Sequence, residues 1–374
     1  MQALKLVPVI HYFDTVKEWA EAQPITEHDL LVTNEWLWGP YLEPLGVKPI
    51  VVFQEKYGMG EPSDEMIDAI QADVKGFDYD RIIAFGGGTI LDICKVLALE
   101  VPERSEDLFM GKVAPKKVKK LVAVPTTCGT GSEVTNVAIT ELKSLGIKKG
   151  IAVEETFADL AVLIPETMKG LPYKVFVTSS VDALIHAIES FLSPKASPFT
   201  EVFSREAVAL IMRGYKAIVE GGEDTRFDYM KEFLIAANYG GIAFGNAGCA
   251  AVHALAYSIG GAFHVPHGEA NYQFFTAVMK RYAAKDAEGK IKQLTDLLAG
   301  VLGIEGGSAE GVYEAFDAFL GKLIAKKPLR EYGMTEDQID AFAVSTVENQ
   351  QRLLANNYVF FTEDEYREIF AELY

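Results

Sequence analysis

The chain is poor in positive charge, cysteine and histidine. Of its 374 residues 35 are Lys or Arg against 53 Asp or Glu, a formal net charge of −18. Such a surface repels nucleic-acid phosphate and anionic membrane, so neither is an expected partner. The three cysteines, Cys94, Cys128 and Cys249, stand far apart without CxxC or zinc-finger spacing, the pattern of free thiols in a reducing compartment. No apolar run approaches the roughly 20 residues of a bilayer span. The opening MQALKLVPVIHYFDT lacks the basic patch, apolar stretch and small-residue cleavage site of a signal peptide, so a cytoplasmic protein is expected. Repeats and low-complexity linkers are missing too.

What is present is the composition of a folded chain: 49% hydrophobic, 11% aromatic and 24% charged residues. Core size is not limiting at this length, and two domains are favoured over one. In the first half, β-branched runs (DLLVTN, KPIVVFQ, RIIAFGGG, KLVAVPTT, LAVLIP) alternate with stretches of helical apolar spacing such as 62–75. Alternation of this kind predicts a parallel α/β sheet, with ligands bound beyond the carboxyl ends of its strands. After about Leu171 the segments 179–193, 200–219, 229–244 and 250–259 are helical in period, and charged amphipathic helices continue to Tyr374. The expected architecture is an N-terminal Rossmann-like α/β domain over 1–175 and an all-helical domain over 176–374.

Two loops at strand ends carry the first chemical signal. RIIAF runs into Gly86-Gly87-Gly88-Thr89 and then a helical stretch, where free backbone amides and the helix N-terminus suit a phosphate. A tight turn with Thr89 as helix cap is the plainer reading. The second loop, Pro125 to Glu133 (PTTCGTGSE), packs four hydroxyls and two glycines into nine residues, a supply that pyrophosphate and ribose use and a simple turn does not need. The second signal is a metal-ligand set. Six histidines occur in all, and His253, His264 and His267 lie close together. His186 follows Asp182 by four residues in VDALIHAIES, which places both on one helix face. Breakers at Gly260-Gly261 and Pro266-His267-Gly268 allow His267 to return toward His253. A carboxylate with three imidazoles suits Fe(II) or Zn(II) with a position left for substrate. Taken one at a time, each histidine has a structural reading as a packed or surface side chain.

GGGTILDICK, PTTCGTGSEVTN, VDALIHAIE and GCAAVHALAYSIGG followed by VPHGEAN stand in the order and spacing of the iron-containing (group III) alcohol dehydrogenases, and the chain resembles that family along its whole length. The stretches FQEKYGMGEPSDEMI, LPYKVFVTSSVDALIHA and KPLREYGM resemble the branch of the family that oxidises 4-hydroxybutyrate. The resemblance implies a dinucleotide-binding α/β domain, a helical metal-binding domain, an active site in the cleft between them, and a dimer or larger homo-oligomer. It implies metal ligands at Asp182, His186, His253 and His267, and NAD contacts at Gly86, Gly87, Gly88, Thr89, Asp92, Thr126, Thr127, Thr130, Ser132 and Lys149. Two positions depart from the family pattern. Asn34 stands where many members have an Asp that bonds the adenine ribose and repels a 2′-phosphate, which weakens the expectation of NAD over NADP. Tyr257 stands where many have another histidine, so proton transfer falls to Tyr257, His264 or water, with His267 beside them. His264 is also a candidate donor to a substrate carboxylate.

The implied reaction interconverts 4-hydroxybutyrate and succinate semialdehyde, with NAD(H) carrying the hydride and the metal acting as Lewis acid on the substrate oxygen. The alternatives are a dehydrogenase of short neutral alcohols or diols, a lyase of the dehydroquinate synthase type, whose metal set is Glu with two His, and a non-catalytic NAD sensor.

Overall fold

The computed structural model describes residues 2–374. The apolar runs of the first half form a six-stranded, wholly parallel sheet: β1 (Val9–Tyr12), β2 (Asp29–Thr33), β3 (Ile50–Phe53), β4 (Arg81–Gly86), β5 (Lys120–Pro125) and β8 (Leu160–Leu163). Their order across the sheet is β1-β8-β5-β4-β2-β3. Successive residues of one strand enter opposite cores, as the period of two requires. Leu30, Val32, Ile82, Ala84, Leu121 and Ala123 pack with α3 (Asp64–Val74) and α4 (Gly88–Leu97) on one face. Leu31, Ile83, Phe85, Val122 and Val124 pack with α1 (Val16–Ala22), the short α2 (Glu35–Leu37) and Leu42 on the other. A sheet covered on both faces is why these strands read as continuous apolar runs rather than alternating ones. Helix α5 (Glu106–Phe109) lies in the connection to β5.

Two parts of this unit differ from the buried apolar runs. Strand β1 is a half-exposed edge, and β6 (Val137–Leu142) with β7 (Ile147–Ala152) forms a separate antiparallel hairpin. In β6 half-buried and buried residues alternate, a pattern unlike the runs that marked the parallel strands.

This α/β unit spans Leu6–Leu171; the second unit is Pro172–Tyr374 together with the segment ending at Lys5. The Asn246 side-chain amide accepts from the Lys5 N–H and donates to the Lys5 carbonyl, and Ser197 Oγ donates to the Ala3 carbonyl, tying that segment to the helices. The helices are α6 (Tyr173–Leu192), α7 (Pro198–Gly221), α8 (Met230–Ala247), α9 (Ala251–Phe263), α10 (His267–Lys285), α11 (Gly289–Leu302), α12 (Ala309–Gly321), α13 (Gln338–Asn349), the short α14 (Gln351–Leu354) and α15 (Glu363–Leu373). Helix α6 is long and apolar enough to cross a bilayer, which corrects the run-length reading, but nearly all of it is buried by α7, α8 and α10. It is the core helix of the bundle. The fold is therefore α/β plus all-α.

Candidate metal centre and nucleotide loops

Helix α6 sets out Asp182, His186 and Glu189 along one side at spacings of four and three. Two glycines let neighbouring backbones come close. A Cβ at Gly240 of α8 would lie 3.2 Å from the Ala183 carbonyl, and one at Gly268 would overlap the Thr178 carbonyl outright. The second contact matters most, because it seats the first turn of α10, and with it His267, against α6.

The four expected ligands converge. One donor atom from each of Asp182, His186, His253 and His267 lies within 4.8 Å of all the others. Asp182 Oδ1 is 3.7 Å from His253 Nε2 and 3.8 Å from His267 Nε2, and Asp182 Oδ2 is 3.9 Å from His186 Nδ1. The His186 ring stacks between Phe244, at 4.1 Å, and His253, at 4.7 Å. Three ligands are buried while the His267 side chain is 41% exposed, so the cluster opens on its His267 side.

Two residues given no role in the sequence hold the cluster in shape. Glu189 is fully buried, with Oε2 2.6 Å from His253 Nδ1. It also accepts the backbone N–H groups of Ala250, at 2.9 Å, and Val252, at 2.7 Å, at the start of α9. With its carboxylate accepting from Nδ1–H, Nε2 is the ring atom left to face the cluster and to take up a cation, a proton or a metal. That Nε2 is buried with no hydrogen-bond partner, the condition expected of an atom meant for a cation and costly otherwise. Asn271, one turn beyond His267, donates to Asp182 Oδ1 at 2.7 Å. Burial favours the neutral form of His253, but Cys249 and Glu189 outweigh it and raise its proton affinity well above the ordinary histidine range. Burial likewise favours protonated Asp182, yet the three imidazoles and Asn271 hold its carboxyl below the usual range. A carboxylate and three imidazoles, one of them with an Nε2 that no protein group bonds, fit a divalent metal.

The remaining expected catalytic groups divide. Tyr257 of α9 meets the His267 ring edge-on, centroids 6.5 Å apart. His264 is exposed at the C-terminal end of α9 with φ 53°, the one non-glycine residue at positive φ among the described residues; its side chain is not among the cluster.

In the α/β unit the two loops meet. Gly86 pairs with Pro125 across β4 and β5, and the Thr126 amide donates to the Gly86 carbonyl at 3.0 Å. A Cβ on Gly87 would lie 3.3 Å from Thr127 Cγ2, and one on Gly88 2.8 Å from Thr130 Cγ2. Gly87 precedes α4 without a side-chain cap, leaving the first amides of a ten-residue helix available. Thr89, the other capping candidate, instead bonds the Gly60 carbonyl at 2.9 Å. A bare helix start lined by glycine and threonine fits a pyrophosphate.

Ser132 and Asp92 brace the loop from within. Ser132 Oγ donates to Asp92 Oδ1 at 2.6 Å, Asp92 Oδ2 takes the Ile139 amide at 2.9 Å, and the buried Lys95 ammonium reaches Ser132 Oγ and the Val137 carbonyl at 2.6 Å each. Lys149 lies on β7 with Nζ 3.5 Å from Met110 Sδ. Asn34 follows β2 and is buried.

Residues 18–165 match the sequence profile of the iron-containing alcohol dehydrogenases, and residues 176–374 that of the C-terminal region of the Fe-containing alcohol dehydrogenase family. The chain belongs to the iron-containing alcohol dehydrogenase family. It is 53% identical over 374 residues, all of both chains, to a 4-hydroxybutyrate dehydrogenase of Clostridium kluyveri. It is 32% identical over 327 residues to a long-chain-alcohol dehydrogenase of Geobacillus thermodenitrificans, covering 83% of this chain and 79% of that one. A sulfoacetaldehyde reductase of Bifidobacterium kashiwanohense, solved with NAD+, shares the fold at a TM-score of 0.84 and 22% identity, over 100% of this chain and 98% of the other. As a family member the chain is an NAD-dependent, metal-containing alcohol dehydrogenase.

Proposed function

We propose that the enzyme interconverts 4-hydroxybutyrate and succinate semialdehyde with NAD(H), using Asp182, His186, His253 and His267 as metal ligands. The observation that carries the substrate is the 53% identity along the full length of the C. kluyveri enzyme. The long-chain-alcohol dehydrogenase of G. thermodenitrificans, by contrast, is 32% identical over 327 residues. A bound divalent metal supplies Lewis acidity at the substrate oxygen, and a bound nicotinamide supplies the hydride acceptor. Iron is the favoured metal, and zinc accepts the same donors.

The chain's own residues prepare that chemistry. Glu189 keeps His253 in the tautomer whose Nε2 faces the cluster. Asn271 fills one site on Asp182 Oδ1. Gly87, Gly88 and the amides opening α4 receive the pyrophosphate, and Thr127 and Thr130 wall it in, while Ser132 braces the loop from within. Tyr257, beside His267, is the proton-relay group; exposed His264 is the weaker candidate.

The test is NADH oxidation with succinate semialdehyde against butyraldehyde, before chelation, after it, and after Fe(II) or Zn(II) is returned. Metal-restored turnover strongly favouring succinate semialdehyde is expected. Equal rates on the two aldehydes would replace the assignment with a dehydrogenase of neutral alcohols.

A further inference from the structure

The adenosine end of the dinucleotide site carries a feature that Asn34 alone does not explain. Strand β2 lies between β4, which ends in the glycine turn, and β3. Residues just past the ends of β2 and β3 thus stand on the sheet edge next to the pyrophosphate loop, where a parallel dinucleotide fold places the adenine ribose. Asn34 follows β2 in the position before the α2 turn, yet its side chain makes no capping bond. It reaches across to the segment after β3, donating from Nδ2 to Glu55 Oε2 at 2.8 Å. The Glu35 backbone N–H donates to the other oxygen, Glu55 Oε1, at 2.7 Å. Both oxygens of one carboxylate are therefore fixed, each by a single bond. A carboxylate has about four acceptor sites, so one on each oxygen is left over.

Two other charges are near. Lys56 Nζ lies 3.9 Å from Glu35 Oε1 and 4.8 Å from the centre of the Phe53 ring. Lys56 and Glu35 offset each other, and the charge that remains is that of Glu55, which is only partly buried.

We propose that Glu55, clamped by Asn34 and the Glu35 amide, is the carboxylate that receives the adenine-ribose hydroxyls and repels a 2′-phosphate. The chain then excludes NADP(H) with an anion delivered from β3 instead of β2. Asn34 is the positioning residue, and its neutral amide is required, since an Asp there would repel Glu55. The inference rests on the glycine loops being the dinucleotide site.

The test is equilibrium binding of NADH and NADPH, and of 5′-AMP and 2′,5′-ADP, to the purified full-length protein. In Glu55→Gln, NADH and 5′-AMP should weaken by severalfold while NADPH and 2′,5′-ADP tighten, shifting the ratio of the two affinities by about tenfold or more. Adding Asn34→Asp to Glu55→Gln should return the preference to NADH, because a carboxylate is supplied again at the same edge. An unchanged NADH:NADPH ratio in Glu55→Gln overturns the proposal. Gly88→Ala, measured alongside, separates the two levels: it should weaken all four ligands together. If it weakens none of them, the nucleotide reading of the loops fails, and the Glu55 proposal with it.

Discussion

The metal cluster and the nucleotide loops are built on opposite principles. The cluster is made of side chains on three helices, held by partners 61 to 89 residues away in sequence, as between Glu189 and Ala250, Val252 or His253, and between Asp182 and Asn271. The loops work through what side chains leave out: glycines at 87 and 88, a helix start without a cap, and threonines packed where a Cβ would otherwise go. One site should therefore fail when an atom is taken away, the other when an atom is added.

The largest effects should come from removing ligands. His186→Ala, His253→Ala and His267→Ala should each lose bound metal and at least about a thousandfold in kcat, since the Lewis-acid contribution is lost whole. NADH affinity should stay within about twofold of wild type, read by metal analysis and fluorescence titration on the same samples. Gly88→Ala should do the reverse. Its Cβ would lie 2.8 Å from Thr130 Cγ2, so NADH binding should weaken by about tenfold or more at unchanged metal content. Coupled loss of both in either variant would break the comparison.

Glu189→Gln sharpens it. The amide keeps the size of the carboxylate but presents a donor to groups that already donate. Metal affinity should fall by about 10–100-fold, and thermal stability should drop by about 1–3 kcal/mol, the cost of one unsatisfied buried group. If Glu189 were only packing, the stability would fall and the metal affinity per folded chain would not. Tyr257→Phe should be the mildest change, with metal and NADH binding intact and kcat reduced by about tenfold through the lost proton path; the decline should be visible in the solvent isotope effect as well as in the rate.

The sequence disclosed what is local. Each of Asp182 with His186, His253 and PHG, GGGT, and PTTCGTGSE sits within a few residues of its own context, and the strand ends were marked by Gly, Pro, Thr or Asn. Glu189 and Asn271 lie inside the same motifs yet were given no role, because their partners are brought close only by the packing of α6 against α9 and α10. The β6–β7 hairpin is not marked by a continuous apolar run, because β6 alternates half-buried with buried residues and β7 is largely exposed or half-buried. His264 drew attention as one of few histidines, but its neighbours PHG and GG were serving a helix end, and its backbone, at positive φ, closes α9. Asn34 stands alone in the sequence, and its hydrogen bond to Glu55, 21 residues on, is made only in the fold.

The most direct test of the account is the metal content of the full-length protein, chelated and then dialysed against Fe(II) or Zn(II), for wild type, His253→Ala and Gly88→Ala side by side. The account predicts one metal per chain in wild type and Gly88→Ala, none in His253→Ala, and dehydrogenase activity only where both metal and NADH bind. An active His253→Ala protein without metal would contradict it.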